Sequence, residues 1–219
     1  MTFCLDTIII KPENDAKIKS AIILLHGYGG DGKDISILSL NWKRHLPNTV
    51  FLCPNGHEKC HVNPSGFQWF DLTKDDSKYI LDEAKKAERK LNQFINEVKK
   101  KFNLANDKIC LSGFSQGCMM SINLGFISDQ KYSCIVGFSG KIIDQDYLRK
   151  KKKVLTSTLL LHGDADEIVP PNFLLEAKDF FLRNNLVIDT YLIKNCGHHI
   201  PIEASSIALN YIKKKLNHF

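Results

Sequence analysis

A chain of 219 residues is long enough to bury most of its apolar surface in one core and too short for two ordinary domains, so a single domain over residues 1–219 is expected. Apolar residues make up 43% and charged residues 25%, and no stretch approaches the ~20 apolar residues that a bilayer span requires. The net charge of +6 gathers in three lysine-rich runs, 99–101, 149–153 and 213–215, which read as solvated helix ends.

No basic face interleaved with aromatics is present, so nucleic-acid binding is not expected. Weak association with an anionic membrane surface stays open, as does a homodimer. The first fifteen residues place no basic segment ahead of the short run Ile8-Ile9-Ile10, so they do not read as a signal peptide, and a cytoplasmic location is expected. The seven cysteines are odd in number and form no C-x-x-C pair, which argues against a disulfide framework or a zinc ribbon. His57, Cys60 and His61 are the one cluster with metal-ligand chemistry. A fourth ligand at suitable spacing is missing, so the segment reads as a polar loop and no metal or other cofactor is expected.

In chain order, residues 7–10 form an edge-strand candidate. Residues 21–25 are an apolar strand that runs directly into His26-Gly27-Tyr28-Gly29-Gly30. Another strand is expected at 49–53, and then a helix over 77–102, where Ile80, Ala84, Ala87, Leu91, Ile95, Val98 and Phe102 recur every three or four residues as one buried stripe. A strand at 108–111 leads into Gly113-Phe114-Ser115-Gln116-Gly117 and a helix over 115–127. Strands follow at 134–138 and 157–161, the latter entering His162-Gly163-Asp164-Ala165-Asp166-Glu167-Ile168-Val169-Pro170. A helix over 172–184, a strand at 187–193, the segment Asn195-Cys196-Gly197-His198-His199-Ile200-Pro201 and a helix over 202–216 complete the chain. Several strands are apolar without alternation, as in parallel strands buried on both faces, and strands alternate with helices. The fold class is therefore α/β, a mostly parallel sheet of about seven strands with helices on both faces. In such sheets ligands bind at the carboxyl ends of strands, where the four polar segments fall.

Gly113 to Gly117 has the strand-turn-helix setting of a nucleophile elbow: a tight turn presents Ser115, and the helix N-terminus behind it offers N–H groups to an oxyanion. The glycine-rich turn from His26 to Gly30 reads either as an oxyanion loop or as a plain strand-end turn. The two acids Asp164 and Asp166 and the two histidines His198 and His199 each sit on a strand-end loop, and local sequence does not choose within either pair. The chain order of serine, acid and histidine is that of the α/β-hydrolases.

With H-G-Y-G-G at His26, F-Q-W-F-D from Phe67 to Asp71, G-F-S-Q-G at Gly113, H-G-D-x-D-x-x-V-P from His162 to Pro170 and G-H at Gly197-His198, the sequence resembles the phospholipase/carboxylesterase group of α/β-hydrolases over nearly its whole length. That group includes bacterial carboxylesterases and acyl-protein thioesterases. The resemblance implies an α/β-hydrolase fold without a large cap domain, and a triad of Ser115, Asp166 and His198. It further implies oxyanion donors at the backbone N–H of Tyr28 and Gln116, no cofactor, and a small acyl ester, lysophospholipid or acyl thioester as substrate. Two positions depart from the family: Cys118 stands where glycine is usual, and His199 where serine often follows the histidine. Trp69, Phe70 and Ile35 are candidates for the walls of an acyl pocket and equally for core. A serine amidase or peptidase on the same fold calls for a substantial cap, which this length disfavours. A noncatalytic binding module of this fold should lack one of the triad residues, and all are present.

Overall fold

The structure is a computed structural model that describes residues 2–13, 16–151, 154 and 156–216. Its centre is a seven-stranded sheet built from β1 (Thr7–Ile10), β2 (Ser20–Leu25), β3 (Thr49–Pro54), β6 (Ile109–Phe114), β7 (Cys134–Phe138), β8 (Thr158–Gly163) and β9 (Ile188–Ile193). A separate hairpin is formed by β4 (Glu58–Lys59) and β5 (Phe67–Gln68). In space the sheet runs β1-β3-β2-β6-β7-β8-β9, with β1 antiparallel to β3 and every other pair parallel. The edge assignment of residues 7–10 and the mostly parallel sheet agree with the sequence reading.

The helices are α1 (Gly32–Trp42), α2 (Ser77–Phe102), α3 (Gln116–Ile127), α4 (Gln145–Lys151), α5 (Asn172–Arg183) and α6 (Ile202–Lys215). On β2 every residue is buried, because Ile22 and Leu24 pack with Ile35, Leu38 and Trp42 of α1 and Ala204, Ala208 and Ile212 of α6, while Ile23 and Leu25 pack with α2 and α3 on the other face. That double burial is why the strand reads as an unbroken apolar run. Along α2, Ala84, Ala87, Leu91, Phe94, Ile95 and Val98 are buried, and each of its larger apolar side chains contributes about 1.5–3 kcal/mol by leaving water. Asp76 caps its N-terminus through Tyr79 N at 2.7 Å, and Asn103, in the left-handed region at φ 53°, ends it.

Helices α1 and α4 and the β4-β5 hairpin are absent from the sequence reading. In α1 the apolar residues fall at 35, 37, 38, 40 and 42, and Ile37 and Leu40 face outward, so no single buried stripe marks it. Its start is fixed by a capping box between Asp31 and Asp34. The seven-residue α4 buries only Leu148, too little for a periodic signal. The lysine-rich runs lie in the last turns of α2, α4 and α6, where cations meet the negative end of the helix dipole; residues 152 and 153 of the second run lie outside the described residues. Among the described residues no helix is long and apolar enough to cross a membrane.

The chain leaves β2 toward β3 on one side and reaches β7 from β6 on the other, so the topology switches direction between β2 and β6. The crevice at their carboxyl ends is where such sheets bind ligands, and the loops that follow β2 and β6 begin with His26 and Ser115.

Candidate active site

Ser115 sits between β6 and α3 at φ 52° and ψ −116°, a conformation that costs a non-glycine residue about 1–3 kcal/mol. Its own backbone holds it there: Ser115 N donates to Phe138 O at 2.8 Å, and Ser115 O accepts from Met119 N at 3.1 Å. The turn passes so close to β2 that a Cβ on Gly117 would lie 2.1 Å from the Leu25 carbonyl oxygen, which explains the glycine two residues after the serine. The Ser115 hydroxyl makes no capping bond to α3, and the serine is nearly buried.

Behind it, the Gln116 side chain forms a two-point clamp. Its Oε1 accepts from Trp69 N at 2.8 Å and its Nε2 donates to Phe70 O at 2.6 Å, while Trp69 Nε1 donates to His26 O at 2.9 Å. Trp69 and Phe70 therefore belong to the hydrophobic core that supports the elbow and the loop after β2, and they do not line the adjoining cavity. The sequence left these two equally open as wall or core; the clamp faces their backbones toward Gln116, and both side chains are buried in that core. Ile35 does line the cavity.

The loop after β8 brings Asp166 to the site fully enclosed. Its Oδ2 accepts from His198 Nδ1 at 2.8 Å, and its Oδ1 accepts from the amides of Ile168 at 3.0 Å and Val169 at 2.9 Å. Burial works against the charge on this carboxylate. The His198 bond and the two amides outweigh that penalty and hold its carboxyl below the ordinary value. His162 closes the same loop, donating from Nε2 to Val169 O at 2.7 Å while lying 3.4 Å from Asp166 Oδ2. Burial lowers the pKa of His162 against the smaller upward pulls of the Val169 carbonyl and Asp166, so its ring is neutral. His162 was part of a motif in the sequence but carried no role there; a histidine four residues before the acid was the available signal.

The neighbouring pairs differ in their partners, although His199 lines the same cavity as His198. Asp164 accepts a long bond from Cys196 N at 3.4 Å, and His199 places Nε2 3.8 Å from Cys196 Sγ and donates its amide to Gly197 O at 2.9 Å. The His198 ring packs against that of Phe114, the residue before Ser115, with centroids 4.7 Å apart and planes tilted by 43°. Both rings line a cavity of about 350 Å³ together with Gly27, Tyr28, Ile35, Ile37, Leu38 and Ile200. A Cβ on Gly27 would lie 3.4 Å from Ser115 Cβ, so the loop after β2 runs directly beside the serine. Among the described residues neither Tyr28 N nor Gln116 N donates to a backbone acceptor.

The remaining sequence candidates fall elsewhere. Among the described residues no three His, Cys, Asp or Glu side chains converge as ligands for a metal ion. His57 lies 3.4 Å from Glu58 Oε1, while Cys60 is buried beneath the turn at Gly29, where it meets the Tyr28 hydroxyl. Cys118 is buried against Gly137 and Gly140, and burial pushes its thiol up to about 12.

The sheet order, the strained serine between β6 and α3, and the loops gathered at the switch point define an α/β-hydrolase. Within that class the chain belongs to the phospholipase/carboxylesterase family, whose sequence model matches residues 6–216, and it is thereby an ester hydrolase by family. The crystal structure of esterase PE8 superposes with a TM-score of 0.92 at 30% identity, covering 97% of this chain and 99% of that one. Acyl-protein thioesterase 1 of Yarrowia lipolytica is 23% identical over 215 residues, 90% of this chain and 92% of that protein. Its counterpart in Kluyveromyces lactis is 28% identical over 175 residues, covering 74% and 76%.

Proposed function

We propose that this protein is a serine hydrolase that cleaves acyl esters or acyl thioesters through an acyl-enzyme, with Ser115 as nucleophile, His198 as base and Asp166 as the acid that orients it. The observation that carries the proposal is the 2.8 Å pairing of His198 Nδ1 with an Asp166 oxygen, the other oxygen being tied to two amides, with the His198 ring 4.7 Å from that of Phe114, which precedes a serine on a strained strand-to-helix turn.

The roles follow from that geometry. Asp166 commits Nδ1 to carrying the ring proton, which leaves Nε2 of His198 unprotonated and able to take the proton of Ser115 as its oxygen attacks the acyl carbonyl. The carbonyl oxygen becomes an oxyanion, held by the N–H groups of Tyr28 and Gln116. The imidazolium returns its proton to the departing alcohol or thiol, and water then releases the acid by the same path. The cavity walled by Ile35, Ile37, Leu38 and Ile200 would take the apolar acyl chain. The thioesterases of Yarrowia lipolytica and Kluyveromyces lactis support including thioesters in the substrate class.

The test is Ser115→Ala, assayed on a p-nitrophenyl ester and labelled with a fluorophosphonate. Loss of both hydrolysis and labelling in a folded variant is expected, and labelling that persists would sink the assignment. Matched acyl esters, thioesters and amides then define the class, with kcat/KM on the amide far below the other two.

A further inference from the structure

Building on the proposed triad and oxyanion donors, we infer that His26 is a positioning residue that aims the Tyr28 N–H at the oxyanion by holding the carbonyl of the same peptide unit.

His26 lies at the end of β2 and is 1% exposed, so each ring nitrogen needs a protein partner. Gly56 N donates to His26 Nε2 at 2.8 Å, which makes Nε2 the acceptor and therefore unprotonated. The ring proton must then reside on Nδ1, which lies 2.7 Å from Gly27 O and donates to it. The Gly56 amide thus selects the tautomer, and the tautomer supplies the donor. Burial also lowers the pKa of the ring, against weaker upward pulls from the Gly27 carbonyl, Asp31 and Asp34, so the ring stays neutral and keeps one donor and one acceptor.

Gly27 O and Tyr28 N belong to one peptide unit, and among the described residues no peptide is cis. In a trans peptide the C=O and N–H point in opposite directions, so fixing one fixes the other. Gly27 O is fixed twice, by His26 Nδ1 and by Gly30 N at 3.1 Å. Its partner N–H is turned away from His26, on the segment where Gly27 packs against Ser115. A hydrogen bond to the carbonyl also polarises the peptide and makes its N–H a better donor. Residues further along are held independently: Gly29 N donates to Phe67 O and Phe67 N to Gly30 O, each at 2.9 Å, and Asn63 Nδ2 donates to Gly29 O at 2.7 Å. The loop is thus pinned on the far side by the β4-β5 hairpin, and among the described residues His26 is the one side chain that addresses the peptide carrying the proposed donor.

Because the oxyanion exists only in the transition state, misaiming one donor should lower kcat and spare KM. His26→Phe keeps an aromatic ring and removes both polar atoms; kcat is expected to fall about tenfold to a hundredfold, below the full loss of an oxyanion donor. His26→Asn puts Nδ2 near the place of Nδ1 and should recover most of that loss. Across both variants the Ki of an alkyl boronic acid, which forms the tetrahedral adduct, should rise in step with the fall in kcat/KM.

The same point can be measured without substitution: nitrogen-15 NMR of the wild-type protein should show His26 with its proton on Nδ1. A ring protonated on Nε2 would overturn the proposal, as would a folded His26→Phe variant that keeps wild-type kcat and boronate affinity. Ser115→Ala serves as the reference. If it abolishes turnover while His26→Phe leaves kcat at the wild-type level, the His26 role fails and the triad stands; if it retains turnover, the triad reading itself has failed.

Discussion

Asp166→Asn is the substitution whose consequence the structure specifies most fully. The replacement keeps the shape of the side chain but gives it one acceptor oxygen and one NH2 group. The Ile168 and Val169 amides both point at Oδ1, at 3.0 and 2.9 Å, so that position must remain an oxygen. The NH2 group then faces His198 Nδ1, 2.8 Å away in the wild type. Two donors cannot share that bond, so Nδ1 must give up its proton and accept, which moves the proton to Nε2. A base that already carries its proton cannot take another from Ser115. A loss of up to ~10⁴-fold in kcat is expected, with substrate binding largely retained.

Stability gives a second, independent reading of the same residue. The carboxyl is held below the ordinary carboxylate value, so it stabilises the fold at pH values above the unfolded-state pKa, and that contribution is lost as pH falls through the lower folded-state value. The wild type should therefore exceed the variant in stability by a constant margin above about pH 5, and the margin should shrink below about pH 4. Steady-state kinetics on a p-nitrophenyl ester and urea melts between pH 3 and 7 measure the two effects. A folded Asp166→Asn protein within tenfold of wild-type kcat would refute the tautomer argument.

Four further outcomes follow from the geometry. Asp164→Asn and His199→Ala should each lower kcat less than about tenfold, since neither side chain enters the Asp166–His198 pair; a larger loss at unchanged Tm would reassign that triad member. Gln116→Ala removes the clamp on Trp69 N and Phe70 O and leaves buried backbone groups unpaired, so a urea melt should show a loss of about 1–3 kcal/mol, and a smaller one would mean the two segments hold together without it. Gly117→Ala sets a Cβ 2.1 Å from the Leu25 carbonyl, and expression as soluble protein with wild-type Tm would show that the approach of β2 to the elbow is looser than described. Ile37→Trp on the exposed lip of the cavity should lower kcat/KM for long acyl chains while sparing acetyl esters, and an equal effect on both would place the acyl chain elsewhere.

Much of the architecture could be read from residue order alone. Parallel strands covered on both faces must be apolar throughout, so β2, β3, β7 and β8 announced themselves, and the three-and-four spacing of α2 gave that helix over the same residues the structure shows. The elements that escaped are those whose stability is not local. Helix α1 has outward-facing Ile37 and Leu40 at the cavity lip, α4 buries one leucine, and the β4-β5 strands are two residues each, held by pairing with the turn at Gly29 and Gly30.

The sequence by itself determined the chemical alphabet of the site: a serine between glycines, a glycine-rich turn, two acids and two histidines, each after its own strand, because parallel-sheet topology delivers strand ends to one crevice. Spacing left Asp164 with Asp166 and His198 with His199, and the motif resemblance favoured Asp166 and His198; the tertiary structure is what pairs those two side chains, buries Trp69 and Phe70 in the core and turns His26 toward the Gly27 carbonyl. Those distinctions are matters of direction and distance between segments tens of residues apart. Strand period and motif spacing fix where a residue stands along the chain, whereas hydrogen-bond partners are chosen at about 3 Å by packing that no local stretch encodes.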